Sequence, residues 1–575
     1  MNQLKANGAF LIYLALSTLF LAAQMWQGIS FLDIGMYMSG YEHICDDPAP
    51  SVFLGQWLLS FVVSSHILHL FHADSFIAIR MMFLALTILL QCITYGYLKR
   101  YLDKKYIIVG LGMMVLSLYG AYTEINYNDY SLLLCLLAIL CYHRGTSCKQ
   151  ERKDKLQGAN KLQGECKLQG LWIALSGLII GIAFYFKITN LAWIALPFIS
   201  CAITNITRGL KPSKTLQIGL FFGGWLIGMT GTYLFITAIG FGDIMRFTLE
   251  NIVQVGGNST DSHSLKNVFL CFVEIHKNEI GAVALIGFYT YLIYMAQRLS
   301  KKWMTWTVGA FLSGILLLCI YLWEQPSSLM NGMCFLCLII CLTDKQIDGD
   351  IKYLFALSTF LPFLCPLGSN AGAAFASKGT CILSLSFAIY TIARFKNRLV
   401  KTSGIRIANR SIVLSLIVVC LSMLYTNIKR PMMEDGNRQE CRFKINSPLT
   451  DKILTTQENA NMHNYLIEKV KPLLPKGSYL ICDFSLTAIS LLECKPYAVY
   501  STVFSNNEMN ERYIDYAYRH TKQLPYILDK PKERTDKDTF VINYLTKGHT
   551  YRTIWSDGTY ILLAPMIAPS CLYIK

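Results

Sequence analysis

The chain has 575 residues, 53% of them hydrophobic and 15% charged, whereas soluble domains carry about 25% charged residues. With a positive mean hydropathy, that balance excludes an ordinary soluble protein and places the chain in the membrane class. The formal charge of +16 sits mostly in short loops (99–105, 143–155, 207–214, 297–302 and 395–410). Counted from a cytoplasmic N-terminus these loops share one side, so the charge reports topology by the positive-inside rule and no nucleic-acid partner is inferred.

A hydrocarbon core of about 30 Å takes roughly 20 apolar residues per helix. Runs of that kind predict spans over 8–27, 75–98, 106–123, 129–143, 171–186, 188–206, 217–240, 279–297, 304–323, 327–343, 353–367, 379–394 and 411–426, about thirteen transmembrane helices. The first run lacks a small-residue cleavage site and is read as a span rather than a signal peptide. An odd count leaves residues 427–575 outside, together with 28–74, 124–128, a tight turn at Lys187, 241–278, 324–326 and 368–378. The expectation is a multi-pass protein of the cytoplasmic (inner) membrane, with residues 1–426 as its transmembrane domain.

Immediately after the first span comes FLDIGMYMSGYEHICDD, with Asp33 at the membrane surface, Tyr37 one helical turn on, then Glu42, Asp46 and Asp47. The following stretch, SVFLGQWLLSFVVSSHILHLFHADS, is apolar but interrupted by Gln56, His66, His69 and His72. It reads as an interfacial helix, because counting it as a span would put the basic loops outside. On a helix the three histidines fall near one face, where they either line its wet side or offer imidazoles to a metal or phosphate. Arg80, early in the second span, is either a phosphate contact or a side chain snorkelling to the headgroups.

In EINYNDYSLLL, Glu124 and Asp129 flank the next exofacial turn. A single carboxylate at a membrane edge is often only a solvated loop charge, but two such sites on one side match a reaction that needs a base. KLQGANKLQGECKLQG, over 155–170, is a six-residue repeat in a cytoplasmic loop and reads as a low-complexity insertion. Lys187 interrupts FYFKITNLAWIALP, and Lys378 lies in the Gly/Ser-rich PLGSNAGAAFASKG, a loop whose N–H groups suit an anion. Each lysine also has a plain reading, as an interfacial side chain and as part of a flexible loop.

From 427 on, a helical pattern near 457–471 is followed by strand-like YLICDF, YAVYST, FVINYL and TYILLAP, which predicts a C-terminal extracytoplasmic α/β domain. Cys482 and Cys494 either pair there or pack singly. Most of the cysteines lie inside apolar spans, and zinc is not indicated.

The order of Asp33 in DIGMY, Asp129 in YNDYSLLL and Lys187 in FYFKITNLAWIALP, over roughly the first 200 residues, resembles the protein O-mannosyltransferase and aminoarabinose-transferase branch of the GT-C glycosyltransferases. That resemblance implies an enzyme taking a hexosyl or pentosyl group from a polyprenyl-phosphate donor to an extracytoplasmic lipid, glycan or protein, with inversion. Asp33 would be its general base, Asp129 a supporting acid that places the donor or an optional divalent metal, Tyr37 a packing or orienting group, and Lys187 the phosphate ligand. Many relatives have Glu directly after that Asp, and here Ile34 stands there. A metal would then draw on Asp46 and Asp47, which precede Pro48 and also suit a turn. The alternative from another class is a flippase for polysaccharide or lipid-linked oligosaccharide, which should carry charges within its helices. A polysaccharide polymerase or ligase and a non-catalytic membrane scaffold are further alternatives.

Overall fold

The computed structural model describes residues 2–72, 75–118, 124–147, 159–207, 214–257, 326–367, 379–399, 435–498, 507–534 and 536–566, with scattered positions over 270–281 and 417–429. Nearly all of the expected span at 279–297, all of that at 304–323, most of that at 411–426, and Lys378 lie outside these residues.

Among the described residues, five helical runs, Ala49–Leu70, Phe76–Leu98, Leu168–Phe186, Ile188–Thr207 and Thr215–Ala238, are long and apolar enough to cross a membrane by length and composition. The helices of this part are α1 (Asn2–Ala22), α2 (Asp33–His43), α3 (Leu58–Leu70), α4 (Phe76–Leu98), α5 (Lys104–Ser117), α6 (Tyr127–Thr146), α7 (Ala159–Phe186), α8 (Leu196–Thr207), α9 (Lys214–Ala238) and α10 (Gly242–Gly257). Next come α11 (Pro326–Thr343), α12 (Gly349–Ser358) and α13 (Ser384–Leu399).

Helix α1 stops at Ala22, short of the expected residue 27, because the chain turns to pair with residues far downstream: Leu454 N–H donates to the Trp26 carbonyl and Gly28 N–H to the Leu454 carbonyl, at 2.9 and 2.8 Å. The repeat-bearing loop differs as well. Helix α7 begins at Ala159 and runs through most of the repeat; Lys, Leu, Gln and Glu are good helix formers, and they extend a helix already nucleated by the apolar run behind them.

Helices α7 and α9 pack backbone to backbone. A Cβ at Gly177 would lie 2.0 Å from the Phe221 carbonyl oxygen, and one at Gly224 would lie 1.9 Å from that of Ala174. Small residues at such a contact permit the close approach that membrane helices use in place of a hydrophobic drive.

The apolar stretch after Asp47 forms a 3-10 helix over Ala49–Trp57 and then α3. It meets the bundle at helix ends: Ser60 Oγ donates to the Phe186 carbonyl at the end of α7, and Ser64 Oγ lies 2.8 Å from the Tyr130 hydroxyl at the start of α6. His66, His69 and His72 are exposed.

The C-terminal residues carry a five-stranded sheet of order β2-β1-β3-β5-β4, with β1 Tyr479–Ile481, β2 Lys495–Pro496, β3 Tyr526–Asp529, β4 Tyr551–Ser556 and β5 Ile561–Pro565. β1 is parallel to β2 and β3, and β5 is antiparallel to β3 and β4. Around it lie α14 (Gln457–Lys469), α15 (Thr487–Leu491), α16 (Asn507–Thr521) and α17 (Asp536–Gly548). FVINYL, expected as a strand, lies inside α17: Asp536 and Asp538 favour a helix start, and the buried Val541, Ile542 and Leu545 recur at helical spacing. YAVYST is not a strand where it is described, since β2 ends at Pro496, one residue before it. Cys482 and Cys494 are free, buried thiols.

Asp435 fastens this segment to the first loop. Its carboxylate, 2% exposed, accepts from Ile29 N–H, the Thr455 hydroxyl, Thr456 N–H and the Asn459 amide at 2.9, 2.6, 3.1 and 3.0 Å. Thr487 N–H donates to the Phe31 carbonyl at 3.0 Å and its hydroxyl to that of Ser30 at 3.2 Å. A Cβ on Gly35 would stand 2.1 Å from the Thr487 nitrogen. The helix that begins at Asp33 therefore lies directly on α15.

Candidate functional site

Asp33 is the first residue of α2, where a carboxylate is favoured by the unpaired N–H groups of the first turn. Tyr37, one turn on, is 3% exposed and packs against Phe61 and Tyr41 at ring separations of 6.0 and 6.2 Å. The Tyr41 hydroxyl donates to the Ile125 carbonyl at 2.8 Å. That bond brings α2 alongside the start of α6.

Helix α6 opens with a capping box: the Asn126 side chain accepts from Asn128 N–H, and Asp129 Oδ2 accepts from Asn126 N–H, each at 2.8 Å. Asp129 thus has a structural task, yet Tyr127, Asn128 and Asp129 all remain partly exposed. The Tyr127 ring meets Tyr37 edge-on at 6.2 Å and stacks on Trp57 at 4.4 Å. Asp33 lies within electrostatic reach of the Tyr127 hydroxyl, and the side chains of Tyr37 and Asn128 within hydrogen-bond reach.

Lys187 occupies an extended break between α7 and the 3-10 helix Ile188–Ala195. Asn190 holds this turn, donating from its side chain to Ser131 Oγ and the Ala183 carbonyl at 2.8 and 2.9 Å. Lys187 Nζ donates to Asn128 Oδ1 at 2.9 Å and to the Cys365 carbonyl at 2.6 Å, and lies 5.7 Å from the Tyr127 ring centre. The residue is 2% exposed. Burial, partly opposed by the nearby Cys365 and Cys135 thiols, lowers its pKa to about 8. Among the described residues no carboxylate pairs with it, and both its hydrogen-bond partners are neutral oxygens. A buried ammonium in that state is stabilised by an incoming anion.

The other expected site residues are used differently. Arg80 and Glu124 are both wholly buried and joined by a 2.6 Å ion pair. Two more guanidinium donors reach the Met25 and Gly28 carbonyls, so Arg80 neither snorkels nor faces a ligand; it is a strut. Glu42 accepts from Ser490 Oγ at 3.0 Å, and Asp47 accepts from the Tyr479 hydroxyl and Lys495 at 2.6 and 2.8 Å. These acids hold the C-terminal segment, and Asp47 is spoken for as a metal ligand. Asp46 sits in a turn that follows α2. His66 Nδ1 lies 3.5 Å from Cys45 Sγ, and among the described residues no group of three or more His, Cys, Asp or Glu stands where it could hold a metal ion.

The structure thus gathers Asp33, Tyr37, Asp129 and Lys187 at one end of the bundle and adds Trp57, Tyr127 and Asn128, which sequence patterns alone do not single out. Tyr127 and Asn128 adjoin Asp129 in YNDY, and that adjacency is the signal that could have marked them. Trp57 carries no signal of its own.

No protein-family model and no curated protein sequence matches this chain. The chain is similar to ArnT from Cupriavidus metallidurans bound to undecaprenyl phosphate (TM-score 0.41, 11% identity, covering 97% of this chain and 98% of that one). It is similar to the same protein in its apo state (0.42, 12%, with 97% and 98% covered). A third likeness is to the apo oligosaccharyltransferase of Archaeoglobus fulgidus (0.43, 11%, with 97% and 74% covered). At these values the likenesses carry no argument about activity, which rests on the site's own residues.

Proposed function

We propose that the chain is an inner-membrane glycosyltransferase that moves a hexosyl or pentosyl group from a polyprenyl-phosphate donor to an extracytoplasmic acceptor hydroxyl. The observation that supports it most is that Asp33 and a buried Lys187, which pairs with no carboxylate among the described residues, both lie near Tyr127. Lys187 holds the lipid phosphate and stabilises the charge that grows on its oxygen as the glycosidic bond breaks. Asp33 takes the proton from the acceptor hydroxyl as that oxygen attacks the anomeric carbon from the opposite face, with inversion. Asp129 keeps Asn128, and through it Lys187, in register by capping α6.

In this reading about thirteen spans place the site outside, with the N-terminus cytoplasmic and residues 427–575 forming an extracytoplasmic domain over it. The donor is lipid-linked because nucleotide sugars are confined to the cytoplasm. The test is transfer from a radiolabelled polyprenyl-phosphate sugar pool in membranes carrying wild-type protein or Asp33→Asn at equal expression. Wild-type transfer reduced on the order of a hundredfold or more by the variant is the expected result. Full activity in the variant removes Asp33 from the mechanism, and no wild-type transfer across several donors favours the flippase alternative.

A further inference from the structure

The ground between Asp33 and Lys187 is occupied by two rings that the proposed chemistry leaves without a task. Trp57 and Tyr127 lie face to face, their centroids 4.4 Å apart and their planes 9° from parallel. Tyr37, Tyr41 and Phe61, the neighbouring aromatics, are buried, whereas Trp57 and Tyr127 are partly open. Their positions are imposed from several directions. Trp57 sits at the join between the 3-10 helix and α3, with φ −131° and ψ 24°, outside helical values. Two residues earlier, Gly55 lies so close to Thr248 that a Cβ there would be 1.9 Å from its hydroxyl oxygen. Tyr127 is fixed by the Asn126 cap, by the edge of Tyr37 and by the ammonium of Lys187.

In a displacement with inversion, the anomeric carbon lies between the departing phosphate oxygen and the attacking hydroxyl. With phosphate at Lys187 and the acceptor at Asp33, the sugar ring has to lie beside Tyr127. A sugar ring offers an apolar face of C–H groups and a rim of hydroxyls. A partly open aromatic pair suits the former, with little loss of side-chain freedom on binding.

We propose that Trp57 and Tyr127 form the subsite for the transferred sugar, offering an aromatic surface to its C–H face, while Lys187 reads the lipid phosphate alone. This rests on the transferase reading above. It divides donor recognition between two sets of residues, which makes the division measurable without turnover.

The experiment compares binding of undecaprenyl phosphate with that of undecaprenyl-phosphate mannose, glucose and arabinose to the purified full-length protein in detergent. Wild type should bind at least one sugar-bearing lipid more tightly than the bare lipid phosphate. Trp57→Leu and Tyr127→Leu should each remove that excess, about tenfold in affinity, and in Trp57→Leu binding to the bare lipid phosphate should stay within about twofold. Trp57→Tyr, which keeps a ring, should retain most of it, and Lys187→Met should weaken all four probes alike. An excess untouched by Trp57→Leu overturns the subsite, as does an equal loss for bare and sugar-bearing lipids, which would mark the pair as packing. A wild type with no preference for any sugar also overturns it. Failure of the wild type to bind even the bare lipid phosphate overturns the underlying transferase reading as well, and so separates the two.

Discussion

Arg80 and Glu124 form an ion pair of 2.6 Å between two side chains with no solvent exposure. Because the guanidinium also donates to the carbonyls of Met25 and Gly28, at 2.5 Å each, this single residue ties the end of α1, the start of α4 and the turn that leads into α6. Removing one member of a buried pair typically costs about 3–5 kcal/mol, while replacing both with apolar groups is often near neutral. Arg80→Met should therefore lower the thermal unfolding temperature in detergent sharply, and Arg80→Met combined with Glu124→Leu should recover more than half of the loss. A single variant as stable as wild type would contradict the strut.

Donor binding should depend on pH through Lys187. Its pKa, lowered by burial to about 8, leaves the ammonium charged below that pH and neutral above it. Phosphate binds the charged form, so affinity is full below about pH 8 and declines as pH rises through it, by up to roughly tenfold per unit. Lys187→Arg keeps its charge at every accessible pH, and its profile from pH 7 to 9.5 should be flat. Binding isotherms for undecaprenyl phosphate across that range check both expectations; a flat wild-type curve would remove Lys187 as the anion ligand.

Gly35→Ala tests the seat of Asp33. The new methyl would meet the Thr487 nitrogen at 2.1 Å and the Leu486 carbonyl carbon at 2.3 Å, backbone atoms that no rotamer change can move aside. Overpacking of this kind costs about 1–3 kcal/mol, and here the strain falls on the contact that carries α2. Limited proteolysis should cut between α2 and α15 faster in the variant, and sugar transfer should fall with it. Gly8→Ala in α1, where nothing lies within 4 Å of the added methyl, serves as the silent control.

His463 gives the C-terminal segment its own acid sensitivity. Burial lowers its pKa to about 4; its ring stacks on Phe31 at 4.3 Å, and its nitrogens lie 2.8 Å from the Asn459 carbonyl and from Ser485 Oγ. The carbonyl can only accept, so Nδ1 carries the proton and Nε2 accepts from Ser485. Between pH 4 and 6.5 the unfolded chain binds a proton that the native state refuses. Stability is thus complete above about pH 6.5 and declines as pH falls toward 4, by on the order of 3 kcal/mol. His463→Gln should flatten the melting temperature across that window; an unchanged slope would assign the acid lability elsewhere.

Local periodicity and sidedness are what the sequence makes legible. The apolar runs behind α4, α7 and α9 stand out by length, and the alternation of basic loops predicts one side for Asp33, Asp129 and Lys187. The roles of the other acids are hidden for a common reason. Glu42, Asp47 and Arg80 look like solvent-facing charges in a linear reading, but the partners of Glu42 and Asp47 lie 448 and 432 residues away at Ser490 and Tyr479, and that of Arg80 lies 44 residues on, beyond the next helix. FVINYL shows a different limit. Its β-branched and aromatic residues favour a strand in isolation, and its helical state follows from the acidic start of α17 and from packing. Trp57 illustrates a third, since its importance lies in the plane of one neighbouring ring.

The bond between the Thr487 hydroxyl and the Ser30 carbonyl joins residues 457 positions apart, and that span is also an interval of time. At a synthesis rate of about 5–20 residues per second, roughly half a minute or more separates the emergence of the Asp33 loop from that of the residues that seat it. During that interval the transmembrane helices can insert, but α2 has no floor. If Asp33 is the base, as proposed, it reaches its working position only late in the chain's own translation, and a nascent or truncated copy meeting donor lipid in the membrane would leave it uncleaved.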